Sequence, residues 1–126
     1  MSEKQTVWKI FAGYLLILLL MLVSTAALGQ SPCEDDGLCV VQFNASFNDD
    51  NKVAWLQDLE DCETVFIDIG VDRAATAKYK IVVIPTILIF NGGEEVGRYQ
   101  ANIMMQMESK QKDIQGKIDE IIMDAF

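Results

Sequence analysis

Tyr79-Lys80-Ile81-Val82-Val83-Ile84-Pro85-Thr86, continuing through Ile87-Leu88-Ile89-Phe90 to Asn91-Gly92-Gly93-Glu94, is the stretch on which the fold turns. Thr86–Phe90 is a short apolar run of the kind that forms a buried strand. Asn91-Gly92-Gly93 makes a tight turn, so Glu95–Gln100 reads as a second strand of a hairpin. Upstream, Asp72 is placed to cap a short helix through Ala74, Ala75, Ala77 and Tyr79. Thr64–Ile69 and Cys39–Ala45 are two more strands, and Lys52–Asp61 between them reads as a helix with Val53, Leu56 and Leu59 on one face. The tail from Met104 to Met123 has Met107, Ile114, Ile118, Ile121 and Ile122 at helical spacing. The order is βαβαββα. A crossover of this length makes the first two strands parallel, with helices covering the sheet.

This order and these residues resemble the thioredoxin family. That family carries a similar Tyr-x-Val/Ile, then Ile-Pro-Thr, then a strand ending in Phe and an Asn-Gly turn. Phe43-Asn44-Ala45-Ser46-Phe47-Asn48-Asp49-Asp50-Asn51-Lys52 falls where the family has Phe-Trp-Ala-x-Trp-Cys-Gly-Pro-Cys-Lys. The matches run from residue 38 to about 122. The resemblance implies a thioredoxin-like α/β fold, a central mixed sheet flanked by helices, with a cis Ile84–Pro85 bond beside the site. It also marks Phe47, Asn48, Asn51 and Pro85 as degenerate active-site positions. Asn48 and Asn51 stand where the two cysteines would be, Phe47 replaces the Trp, and Gln42 replaces a buried Asp. Thiol–disulfide exchange needs a thiolate, which an amide cannot supply. Ordinary thioredoxin chemistry is therefore not expected, and fold and function separate here.

Three cysteines remain, Cys33, Cys39 and Cys62. Exported domains tend to pair theirs, which leaves one over. Cys33 with Cys39 is the favoured pair, closing the loop Glu34-Asp35-Asp36-Gly37-Leu38. Cys39 with Cys62 is open as well, because their strands are neighbours. Cys62 is then a thiol that is reduced or linked to a partner. All three belong at the opposite end of the strands from the family's chemistry.

Lys4 and Lys9 precede an uncharged run, Ile10 to Gly29, of 20 residues. Positive charge stays cytoplasmic, so the domain that follows is expected on the non-cytoplasmic side, whether periplasm, lumen or exterior. Residues 1–29 read as a transmembrane anchor or signal peptide and 30–126 as the domain. Uncleaved, residues 10–29 hold the chain in a membrane; cut after Gly29, it is secreted.

Of 19 acidic residues only Glu3 lies in the leader, and of 10 basic ones only Lys4 and Lys9, so the domain carries 18 acidic against 8 basic side chains. Such a surface excludes nucleic acid as a partner. The chain has no His, which removes the usual general base and the commonest zinc ligand. The acidic clusters lack the spacing of a calcium loop. No metal and no cofactor is expected. Asn44-Ala45-Ser46 is a glycosylation sequon at a strand end where burial is expected.

The sequence thus points to a non-catalytic domain acting as an interaction module, or accessory subunit, of a membrane protein complex. Two alternatives stand beside it. One is a thiol–disulfide oxidoreductase working through Cys33, Cys39 or Cys62. The other is a secreted peptide-binding or holdase domain.

Overall fold

The computed structural model describes residues 6–15, 31–34 and 36–126. The chain divides into two units, Met1–Gln30 and Ser31–Phe126. In the first, residues 6–15 form helix α1. Among the described residues no helix is long and apolar enough to cross a membrane. Most of the apolar run expected to span or be cleaved, residues 16–29, lies outside the described residues.

The second unit holds a four-stranded sheet in the order β2-β1-β3-β4. Its strands are β1 (Leu38–Asn44), β2 (Glu63–Asp68), β3 (Thr86–Asn91) and β4 (Glu94–Gln100). β1 and β2 are parallel, and the other two pairings are antiparallel. The sheet is mixed because the β1–β2 connection crosses over, whereas β3 and β4 are joined by a two-residue hairpin. Gly92 and Gly93 have φ of 62° and 82° in that turn, the left-handed geometry that matches the twist of a hairpin.

Side chains alternate across the sheet with period two. Cys39, Val41, Phe43, Leu88 and Phe90 face one side with Val65, Ile67 and Ile69, where α2 (Ala74–Lys78) and Tyr79 cover them. Val40, Ile87 and Ile89 face the other, against Val53, Leu56, Leu59 and Ile114 and Ile118 of α3 (Gln111–Asp124). Gly97 of β4 lies opposite Ile89, and a Cβ there would meet the Ile89 Cδ1 at 3.3 Å.

Three expected elements differ. Lys52–Asp61 is not an α-helix: it holds one 3-10 segment, Ala54–Asp58, which follows another, Ser46–Asn51. The break between them has a specific cause. Gln42 on β1 is buried, its Oε1 accepts from Val53 N–H at 2.8 Å, and its Nε2 donates to Val53 O at 3.1 Å. One side-chain amide thus occupies both backbone groups of Val53 and holds it extended, out of any helical ladder. α3 starts at Gln111 rather than Met104. Asn102 Oδ1 accepts from the N–H groups of Met104 and Gln106, and Met105 has φ 58°, so an Asx-type turn displaces the first helical turn. The helix begins where Asp113 accepts from Lys110 N–H at 2.8 Å. α2 lacks the expected side-chain cap: Asp72 contributes its carbonyl oxygen to Ala75 N–H instead.

Candidate functional site

The C-terminal end of β1 delivers the chain into Ala45-Ser46-Phe47-Asn48, and Ala45 O accepts from Asn48 N–H at 2.9 Å. This tight turn folds Asn48 inward, leaving it 4 % exposed, and throws Phe47 outward, 78 % exposed. Asn48 Nδ2 has three oxygens in reach: Asn44 Oδ1 at 3.1 Å, Met105 O at 3.3 Å and Ile84 O at 3.5 Å. Two N–H groups cannot serve three acceptors equally, and the shorter two make the better bonds. Asn48 Oδ1 accepts from Asn51 Nδ2 at 2.8 Å, and Asn44 Nδ2 donates to Asn48 O at 3.1 Å.

The result is a closed network of three amides. It ties the end of β1 to the loop before β3 and to the turn at residues 102–106. Among the described residues no buried side-chain nitrogen or oxygen lacks a partner. Asn44 is fully buried within this network, so the sequon amide is engaged inside the protein.

The Ile84–Pro85 bond is cis. Pro85 O accepts from Ala101 N–H at 3.0 Å, and Thr86 Oγ1 donates to Val83 O at 2.6 Å, which fixes the loop on both sides of the proline. In front of it lies a groove of about 400 Å³ whose walls include Phe47, Ile69, Val82, Ile84, Ile103 and Met105. Phe47, Val82 and Ile103 are all strongly exposed. The site residues Phe47, Asn48 and Asn51 therefore gather at one end of the sheet, with Ile84 and the cis bond beside Asn48. Their arrangement offers apolar surface and hydrogen-bonded amides, with no thiol and no ionisable group in the network.

The cysteines sit elsewhere. Cys33 and Cys39 are joined in a disulfide, with their Cα atoms 6.1 Å apart. Cys39 and Asn44 are five residues apart on β1, which at about 3.3 Å per residue separates the two ends by roughly 16 Å. Cys62 is reduced and packs on the opposite face of the sheet from Cys33 and Cys39. Burial, then the Asp61 carboxylate, pushes the Cys62 thiol up, which disfavours the thiolate that exchange requires. Glu63, in the sequence one member of the acidic cluster Asp58, Glu60, Asp61 and Glu63, lies beside the disulfide. The pairing register of β1 with β2 is what sets it against the cysteines.

No family model matches the chain, and no curated protein matches it. Solved structures do. A designed protein aligns with TM-score 0.54 and 21 % identity over 70 % of this chain and 83 % of its own. A thioredoxin from Fasciola hepatica aligns with TM-score 0.51 and 24 % identity, over 68 % and 82 % respectively. A mutant thioredoxin from Halobacterium salinarum gives TM-score 0.51 and 19 % identity, over 66 % and 73 %.

Proposed function

We propose that this chain, whose fold is thioredoxin-like, is a non-catalytic interaction module that holds a protein partner in the groove beside Pro85. The observation that carries the reading is the pairing of a satisfied buried network with an exposed apolar rim. The buried polar atoms of Asn44 and Asn48 are engaged within the protein, while Phe47, Val82 and Ile103 stand in water. Apolar surface grouped around a groove is a recognition feature. The backbone of the proline loop and of the turn at residues 102–106 is held by hydrogen bonds, which limits the entropy lost when a partner docks.

The partner is a protein of a membrane complex, reached because residues 10–29 hold the domain on the non-cytoplasmic side. With 18 acidic against 8 basic residues in the domain, a basic surface around the contact would associate faster. Extraction of the full chain in mild detergent tests this. Stoichiometric co-purification with an integral membrane complex, lost in Phe47→Glu and Ile103→Glu variants that stay folded, is the expected result. A chain that runs alone, or an association indifferent to both substitutions, refutes it.

A second reading is favoured by one observation, the Cys33–Cys39 disulfide with Cys33 partly exposed. Thiol–disulfide exchange would then run at the far end of the sheet. Activity on a disulfide substrate that is lost on Cys33→Ser would establish that reading, and activity surviving every Cys→Ser change would end it.

A further inference from the structure

The start of β2 places a carboxylate where a simple disulfide staple has no use for one. Cys39 is paired in register with Glu63 across the parallel β1–β2 ladder. Period-two alternation puts Glu63 on the face of Val65 and Ile67, the face where Cys33 and Cys39 pack. The two sulfurs and a Glu63 carboxylate oxygen all lie within 4.8 Å of one another. Glu34 N–H donates to Glu63 Oε1 at 3.2 Å, which orients the carboxylate from the loop that carries Cys33. Two sulfurs and one carboxylate oxygen this close together are, once the sulfurs are separate thiolates, a ligand set that zinc-type cations accept.

We infer that Cys33, Cys39 and Glu63 form a binding site for a soft divalent cation of the zinc type once the disulfide is reduced. A dithiol reductant breaks the Cys33–Cys39 bond, giving two electrons and two protons and closing its own disulfide. The two thiols then release one proton each as the cation binds both thiolates and the carboxylate. A water completes the tetrahedron from the side of Cys33, which is partly exposed.

The geometry asks little of the backbone. Metal–sulfur bonds of about 2.3 Å set the two sulfurs about 3.7 Å apart, a separation reached by side-chain rotation. Electrostatics favours the bound form, because Cys39 is fully buried and a lone thiolate there would be costly. The cation neutralises two of the three negative charges. The absence of His from the chain leaves the thiolates as the principal soft ligands, and Cys62 is on the other face of the sheet. Loss or gain of the cation would couple the acidic loop at residues 34–37 to the redox state of its surroundings, a role distinct from the groove beside Pro85.

The test uses the full chain without a histidine tag, reduced with a dithiol in detergent, desalted without oxygen and titrated with Co²⁺. The expected result is a thiolate-to-cobalt charge-transfer band that saturates at one equivalent, is displaced by Zn²⁺, and releases two protons per cation. The oxidised chain shows no band. Glu63→Gln weakens binding by at least about tenfold, Cys62→Ser leaves it unchanged, and Zn²⁺ raises the melting temperature of the reduced chain. A reduced chain that gives no band overturns the inference, as does one that has lost its fold. So does a band indifferent to Glu63→Gln, or one abolished by Cys62→Ser.

Discussion

Replacing Asn48 by Asp exchanges one NH2 for an oxygen and changes almost nothing in size. The substitution therefore isolates the hydrogen bonds from the packing. Asn48 Nδ2 lies 3.1 Å from Asn44 Oδ1, 3.3 Å from Met105 O and 3.5 Å from Ile84 O. An ionised carboxylate oriented by Asn51 would aim its second oxygen at these three oxygens, in a pocket where position 48 is 4 % exposed. Burial without a donor penalises the charged form, raising the carboxyl of the variant by about three pH units above its ordinary value near 3.9. At about 1.4 kcal/mol per unit, the loss at neutral pH is about 4 kcal/mol, on the order of 20 °C in melting temperature.

The sign follows from linkage. The folded value lies above the unfolded one, so protonation favours the folded state. The penalty is absent below about pH 4 and complete above about pH 7. The assay is thermal unfolding of Asn48→Asp and of the unsubstituted chain at matched pH from 4 to 8, read as a difference. A penalty that grows over that interval is expected, with Asn48→Ala losing about 2–3 kcal/mol at every pH. Equal melting at pH 7, or a deficit in Asn48→Asp that ignores pH, would refute the network.

Three further outcomes follow from the same structure. Gln42→Ala strands both backbone groups of Val53 and should cost about 2 kcal/mol, with a melting temperature lower by about 10 °C in the same unfolding experiment. Cys33→Ser opens a ring between residues six apart in sequence, and in the chain-entropy estimate stability falls by about 2 kcal/mol, measured by denaturant unfolding. Cys62, its thiol pushed up by burial and then by Asp61, should react with iodoacetamide more slowly than an unfolded control at pH 8. The stability it contributes is full below the unfolded thiol value and declines as pH rises towards the folded one.

The sequence was most informative where structure is local or strictly periodic. Thr86–Phe90, the Asn91-Gly92-Gly93 turn and the mostly apolar run Cys39–Ala45 need only neighbours one or two residues away. Their strands lie within a residue or so of where the apolar runs and the turn put them. The helix expected over Lys52–Asp61 fails because its backbone is claimed by Gln42, eleven residues from Val53. The start of α3 shifts because Asn102 competes for the amides that would open a helix at Met104.

The site was legible only in part. Asn48 and Asn51 stood out because the pattern the sequence resembles has cysteines there. What they do instead depends on oxygens 36 and 57 residues away in sequence, and no local rule reports such distances. Glu63 is similar: within the acidic cluster at 58–63 it reads as a solvated face until register sets it against Cys39.

The central proposal is that this thioredoxin-like fold performs no thiol chemistry at Asn48 and Asn51, whose amides are tied instead into a hydrogen-bonded network. It is tested most directly by insulin reduction with the full chain, beside an Asn48→Cys, Asn51→Cys double variant. The Asn48 and Asn51 side chains already touch at 2.8 Å, so the two new thiols face one another next to the cis proline. The account predicts no activity above background from the natural chain and clear activity from the double variant. Insulin reduction by the natural chain, lost on Cys33→Ser, would contradict it.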